Sequence, residues 1–379
     1  MAHGTYDVIV LGIGGMGGAA AYELARRGRR VLGLEQFSLG HDRGSSHGQT
    51  RIIRKAYYEH PDYVPLLHRA YQRWFDLEQL SGRHLLTFCG VLNIGRPEGA
   101  IVAGVRASAR QHGLAVEDLS PDELRRRFPA FRFDDSYVGV LERDGGFLYV
   151  DDCVLTYARE AQLAGADIRE NEPAVSWETA GNSVTVHTRR HTYVAAKLVI
   201  TAGPWAGPLL GRAKVPLTVM RQSPFWFGPA DDALFRRDVF PGFIAETPEG
   251  DYYGLPMIDR KGAKIARHYG QPELPDPAGV DRFVNAADEA DVRGFLKRHI
   301  PAADGPVRHG SVCLYTLTPD RHFVIDTLPD ASNVVVAAGF SGHGFKFASV
   351  VGEILADLAE TGRTAHPIGL FGLGRFGAK

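Results

Sequence analysis

Residues 6–35, YDVIVLGIGGMGGAAAYELARRGRRVLGLE, decide the fold class. Tyr6 to Leu11 is a short, nearly continuous apolar run, the pattern of a strand buried on both faces of a parallel sheet. Gly12-Ile13-Gly14-Gly15-Met16-Gly17 follows at once. Gly18 to Arg27 then reads as a helix with small residues on its packing side, stopped by Gly28, and Val31 to Leu34 as a second strand ending at Glu35. Glycines 12, 14 and 17 form G-x-G-x-x-G between strand and helix. In that context Gly14 lets backbone approach a pyrophosphate, the helix N-terminus offers it partial positive charge, and Gly17 permits close helix–strand packing. Glu35, about 20 residues on, is placed to take the ribose hydroxyls of an adenosine and to repel a 2′-phosphate. The alternative is a glycine turn with no nucleotide. The fingerprint does not separate NAD from FAD, because both carry the adenosine diphosphate it binds.

Other strands of such a sheet are scattered along the chain: Lys197 to Gly203 (KLVITAG) and Asn333 to Gly339 (NVVVAAG), the latter running into Gly342-His343-Gly344. Between them lie an amphipathic helical stretch, roughly 62–80, and a Pro- and aromatic-rich region, roughly 216–320, in which Asp251 to Leu255 alternates like an antiparallel strand, as Ser183 to His187 also does. At 379 residues two structural domains are expected. With 43 Lys+Arg against 44 Asp+Glu there is no global basic field to draw in nucleic acid or an anionic membrane. Three scattered cysteines, Cys89, Cys153 and Cys313, make neither a disulfide framework nor a metal cage and point to a reducing compartment. No signal peptide, membrane span or peroxisomal address at Gly377-Ala378-Lys379 is readable, so a soluble, cytoplasmic protein is expected.

The segment Gly44-Ser45-Ser46-His47-Gly48-Gln49-Thr50-Arg51-Ile52-Ile53-Arg54-Lys55 falls near the carboxyl ends of the strands, where ligands of these sheets bind. Arg51 and Arg54 share a face if the run is helical, which makes it a candidate anion clamp; a solvated basic turn is the competing reading. Three further motifs follow in order: Tyr252-Tyr253-Gly254-Leu255-Pro256 with Gly262-Ala263-Lys264-Ile265, Cys313-Leu314-Tyr315-Thr316-Leu317-Thr318-Pro319-Asp320, and Gly342-His343-Gly344-Phe345-Lys346-Phe347. With the Ser-His-Gly-x-Thr-Arg-x-x-Arg run at 46–54, they resemble the monomeric sarcosine oxidase and N-methyltryptophan oxidase family of flavoenzymes, from residue 6 to about residue 376.

The resemblance implies an α/β protein, α+β overall: a Rossmann-like FAD-binding domain with a parallel sheet (1–85, 150–215 and 321–379) and an interleaved substrate domain with a largely antiparallel sheet (86–149 and 216–320). It implies FAD, covalently held by the sulfur of Cys313. It assigns Ser45, His47, Arg51, Tyr315, Gly342, His343, Gly344 and Lys346 to the cofactor alongside Gly12, Gly14, Gly17 and Glu35. It places Arg54 and Lys346 on the substrate carboxylate and Arg51 close to the flavin ring. It sets Lys264 near flavin N5, where it promotes reaction with oxygen, and Tyr253 and His268 beside the substrate. The implied reaction takes an N-methyl amino acid, oxygen and water to amino acid, formaldehyde and hydrogen peroxide, in a monomer without metal, nucleic acid or membrane partner.

Two stretches depart from the family's pattern. Ala56-Tyr57-Tyr58-Glu59-His60-Pro61 is bulkier than the Gly-containing loop common in bacterial members, and Met257 to Lys261 carries more charge and bulk. Sarcosine, a larger N-methyl amino acid such as N-methyltryptophan, and a cyclic imino acid such as pipecolate or proline therefore all stay open. A nicotinamide-dependent dehydrogenase would share the first unit but has no use for Cys313 or the Gly-His-Gly-Phe-Lys loop. A noncatalytic dinucleotide-binding protein would give Arg54, Lys264 and Lys346 no shared pocket.

Overall fold

A computed structural model describes residues 5–211 and 215–377. The opening unit forms as its pattern predicts: strand Thr5–Leu11, helix Gly15–Arg26 and strand Val31–Leu34. Thr5–Leu11 pairs in parallel with Val31–Leu34 on one side and with Thr192–Ile200 on the other. Ala331–Ala338 continues the parallel set beside Thr192–Ile200, and Asp167–Arg169 beside Val31–Leu34. The register pairs Leu11 with Leu34 and with Ile200, and Ile200 with Val336, so Gly12, Glu35 and Thr201 all emerge from the same sheet edge. Antiparallel strands Ala174–Ala180, Ser183–Thr188 and Val324–Leu328 complete this eight-stranded sheet. Ser183–Thr188 is antiparallel as its alternation suggests.

Small residues bring the first helix close to the sheet and to its neighbours. A Cβ at Gly17 would overlap the Gly12 carbonyl oxygen, and one at Gly352 of helix Ala348–Thr361 would fall 2.6 Å from Ala19. This is the packing role expected of the last fingerprint glycine.

A second eight-stranded sheet is built from 91–95, 117–119, 138–142, 225–227, 242–247, 250–255, 263–267 and 307–310. All of its pairings are antiparallel except that of Gly242–Thr247 with Val91–Gly95. Paired residues in adjacent strands share a face, and so do alternate residues within one. Ile244, Tyr253 and Ala266 therefore line up across three strands, and Trp226, Lys264 and Leu255 across three. The intervening residues Phe225, Phe227, Phe243, Tyr252 and Ile265 pack on the other face with Phe295 of helix Ala286–His299. Two three-stranded sheets join the bodies: Thr50–Ile53 with Gly146–Tyr149 and Leu86–Phe88, and Thr218–Gln222 with Cys313–Leu317 and Glu273–Leu274.

One reading is corrected. Thr50–Ile53 is a strand, so Arg51 and Arg54 do not share a helical face; at a strand's period of two, their spacing sends the guanidiniums to separate partners. The amphipathic stretch at 62–80 is helix Val64–Ser81, ended by a left-handed Gly82. The three cysteines are free. Among the described residues no helix is long and apolar enough to cross a membrane, and no group of His, Cys, Asp or Glu is arranged to hold a metal. Ala378 and Lys379, like residues 1–4 and 212–214 at other edges of the expected FAD-binding segments, lie outside the described residues.

Candidate active site

A continuous cavity of about 350 Å³ runs along the carboxyl edge of the first sheet to the face of the second, within the range of small-molecule and cofactor sites. Gly12, Gly14, Glu35, His41, Thr201 and Trp205 line one part of it, Ser45, Arg51, Cys313, Tyr315 and Gly342 another, and Arg54, Tyr58, Glu59, Tyr253, His268, His343 and Lys346 a third. Gly344 also lines it, whereas Gly17, His47 and Lys264 stand behind the lining.

The glycine-loop part suits an adenosine diphosphate. Gly12 has φ +87°, and a Cβ there would sit 2.7 Å from the Thr201 carbonyl oxygen. A Cβ at Gly14 would meet only Ser46 Oγ at 3.6 Å, so that backbone is open to the cavity. No acidic side chain in the first turn of Gly15–Arg26 opposes an anion at its N-terminus. Glu35 accepts hydrogen bonds from the Ile13 and Phe37 amides at 2.9 and 3.0 Å, which fix its carboxylate beside the loop.

Further along, Arg51 donates to the Ser45 carbonyl at 2.8 Å and to Cys313 Sγ at 3.3 Å. Burial alone would push the Cys313 thiol up; the Arg51 guanidinium, with His47 and Lys264 nearby, outweighs it and holds the thiol down to about 6. A buried cysteine with such neighbours is a thiolate at neutral pH and a nucleophile. His47 is 3% exposed and its Nε2 has no partner. Lys264 Nζ donates to the Gly48 and Thr50 carbonyls at 2.7 and 2.9 Å, straddling Gln49, whose φ of +66° turns both carbonyls toward it. Its amine also lies 5.2 Å from the centre of the Trp226 ring, and burial, then Arg51, pushes its pKa well down.

The third part holds two buried cations on one aromatic ring. Arg54, 1% exposed, and Lys346, 5% exposed, lie 4.3 and 4.9 Å from the centre of the Tyr57 ring. Arg54 forms an ion pair through one nitrogen to both oxygens of Glu59 at 2.8 Å, and its Nε is buried without a partner. Burial would raise the Glu59 carboxyl, but Arg54, His343 and Lys346 hold it down to about 2. Lys346 Nζ donates to the His343 carbonyl at 2.6 Å and to Tyr57 Oη at 3.3 Å. His343 Nε2 faces the Arg321 carbonyl at 3.0 Å and must donate to it, which leaves Nδ1 to accept from Tyr57 Oη at 2.7 Å. Burial keeps His343 neutral, down to about 4, and burial followed by Arg54 lowers Lys346 to about 7. His268, lowered by burial to about 3, shares Nδ1 with Tyr315 Oη at 3.2 Å.

The structure thus brings Arg54, Lys346, Tyr253, His268 and Tyr315 into one cavity with Arg51 and Cys313. Tyr57 and Glu59 belong to the 56–61 stretch, which the sequence marks for its bulk and not for partnering Arg54 and Lys346. A guanidinium destined for burial needs a counter-charge, and Glu59, five residues on, was the signal available.

The profile of the FAD dependent oxidoreductase family matches residues 7–358, and the chain belongs to that family. It is 45% identical over 372 residues, 97% of each chain, to monomeric sarcosine oxidase of Streptomyces avermitilis. It is 38% identical to N-methyl-L-tryptophan oxidase of Salmonella agona, over 98% of this chain and 99% of that one. Among solved structures, NikD, described as an unusual amino acid oxidase essential for nikkomycin biosynthesis, superposes with a TM-score of 0.86 at 28% identity, covering 98% of both chains. The expected family and fold class are borne out.

Proposed function

We propose that this protein is an oxidase of secondary α-amino acids that removes an N-methyl group from a sarcosine-like substrate. The observation that carries the reading is the cavity itself: a dinucleotide-shaped glycine loop and acid share it with two buried cations, Arg54 and Lys346, suited to a small carboxylate. The partition into FAD-binding segments 1–85, 150–215 and 321–379 and substrate segments 86–149 and 216–320 belongs to this proposal, as do a monomeric state and a cytoplasmic location.

FAD would be held at Gly12, Gly14, the helix N-terminus and Glu35, with the Cys313 sulfur as its point of attachment, and when bound would supply a two-electron acceptor that oxygen restores with release of hydrogen peroxide. The chain's own residues do the positioning. Arg54 and Lys346 take the substrate carboxylate, with Arg54 exchanging Glu59 for it. Holding the amine and its neighbouring C–H in one orientation contributes several kcal/mol to a bimolecular reaction of this kind. Arg51, Arg54 and Lys346 together favour the neutral, nucleophilic amine over its ammonium form. Tyr253 and His268, neutral in this setting, flank the substrate without adding charge. Lys264 stands ready to stabilise negative charge developing on oxygen, with Gly48 and Thr50 carbonyls fixing its amine. Water then hydrolyses the oxidised N-methyl substrate to the amino acid and formaldehyde.

The test is oxygen uptake with a panel of N-methylated and cyclic amino acids, with peroxide and formaldehyde measured together. Stoichiometric formaldehyde from sarcosine supports demethylation. Peroxide without formaldehyde from proline or pipecolate moves the reading to a cyclic imino acid. No uptake with any amine overturns it.

A further inference from the structure

The Arg54 guanidinium lies over two tyrosine rings, with the ring centres of Tyr57 and Tyr58 at 4.3 and 4.5 Å. The two rings are otherwise used differently. Tyr57 is fully buried, and its hydroxyl is committed to His343 and Lys346. Tyr58 is half-buried and lines the cavity. Its position is set from behind by helix Ala100–His112: Ser108 Oγ donates to the Tyr57 carbonyl at 2.5 Å, and Gly104 leaves only enough room for the Tyr58 backbone, since a Cβ at 104 would fall 2.5 Å from the Tyr58 carbonyl oxygen and 2.9 Å from Tyr58 Cβ. The second sheet presents Ile244 and Tyr253, paired across strands, to the same cavity.

A carboxylate held by Arg54 has its Cα one bond away, beside the ring stacked on that guanidinium. A hydrogen or methyl at Cα fits such a wall, and a larger group must displace the ring from the cation. We propose that Tyr58 is a specificity-determining residue, the wall that confines this enzyme to amino acids with no Cα substituent larger than methyl, the N-alkyl glycines above all. This deepens the amino-acid oxidase reading and rests on it.

The test compares wild type with Tyr58→Ala, Tyr58→Leu and Tyr58→Phe, using sarcosine and N-methyl-L-phenylalanine as substrates. Methoxyacetate and 2-methoxy-3-phenylpropanoate, whose ether oxygen replaces the oxidisable amine, serve as calorimetric ligands. Tyr58→Ala should raise the ratio of kcat/KM for N-methyl-L-phenylalanine over sarcosine at least tenfold, chiefly through KM, with a matching shift in the ratio of the two ether affinities. Tyr58→Leu, which keeps apolar bulk against Arg54 and guards against loss of folding, should shift both ratios the same way by less. Tyr58→Phe, which keeps the ring, should hold the wild-type ratios. Unchanged ratios in both the Ala and Leu variants, or a full shift in the Phe variant, overturn the assignment while leaving the oxidase reading intact. Wild type that neither oxidises an N-methyl amino acid nor binds methoxyacetate overturns the oxidase reading and the assignment with it.

Discussion

Binding of a carboxylate at the Arg54–Lys346 end should draw a proton onto Lys346. Burial and the Arg54 guanidinium lower Lys346 to about 7 from an ordinary value of 10.5, which at about 1.4 kcal/mol per tenfold corresponds to about 5 kcal/mol set against the ammonium form. A ligand carboxylate brings the negative charge that restores that form, so the bound pKa rises. The sign follows: well below pH 7 the ammonium is present with and without ligand and no proton moves, whereas between the free and bound values binding takes one up. At pH 8 about nine in ten free molecules carry neutral Lys346, so uptake should approach one proton per ligand, and affinity should fall up to tenfold for each pH unit above 7. The histidines facing this end stay silent there. Glu59, held at about 2 by Arg54, is ionised in the free protein, and His268 and His343, at about 3 and 4, are too far below to be protonated; a proton taken up by Glu59 once the ligand displaces it would survive Lys346→Gln. Cys313, held down to about 6, has already lost its proton at pH 8. Calorimetry with methoxyacetate in buffers of different ionisation enthalpy counts the protons, and Lys346→Gln should abolish the uptake. Heat independent of buffer at pH 8 in the wild type would refute the argument.

Four further outcomes follow from the same geometry. The flavin should stay with the polypeptide after acid precipitation and be released in Cys313→Ser; free release from the wild type would sink the covalent assignment. Arg54→Ala should weaken carboxylate ligands by about 2–5 kcal/mol, because a buried charge partner is lost and Glu59 is left unpaired; unchanged methoxyacetate affinity would remove Arg54 from the clamp. Glu59→Gln should tighten methoxyacetate binding, since the ligand no longer competes with a carboxylate for Arg54, and weaker binding would show that Glu59 organises the site. Lys264→Met should slow reoxidation by oxygen far more than reduction by substrate in stopped-flow; equal slowing would mean that the lysine serves chiefly to hold the Gly48–Thr50 turn.

The parts legible in the sequence were those governed by short-range rules. Continuous apolar runs at 6–11, 197–203 and 333–339 marked the strands that prove to be Thr5–Leu11, Thr192–Ile200 and Ala331–Ala338, with ends displaced by up to five residues, and glycine spacing marked the loop, because each depends on burial or clash within a few residues. The basic run at 46–54 was legible as chemistry but not as conformation. Thr50–Ile53 is a strand because Gly146–Tyr149 pairs with it, a partner about a hundred residues away that no local pattern announces. The roles expected of Cys313 and Lys264 came from the resemblance; what sets the Cys313 thiol, an Arg51 that reaches 262 residues along the chain, is purely tertiary.

The same distinction explains why the carboxylate end was the least complete reading. Arg54 and Lys346 could be named one by one, but their burial is tolerable only through groups to which the sequence attaches no such pairing: Glu59 against the guanidinium, and Tyr57, His343 and the Arg321 carbonyl in a chain behind the amine. A buried cation left without partners would cost several kcal/mol, so the protein meets that cost internally with a carboxylate on Arg54. It leaves the second cation on the edge of losing its proton. A substrate carboxylate meets both conditions at once, displacing Glu59 from Arg54 and restoring the charge on Lys346. A neutral amine without a carboxylate does neither, which is how this end of the cavity selects amino acids over simple amines.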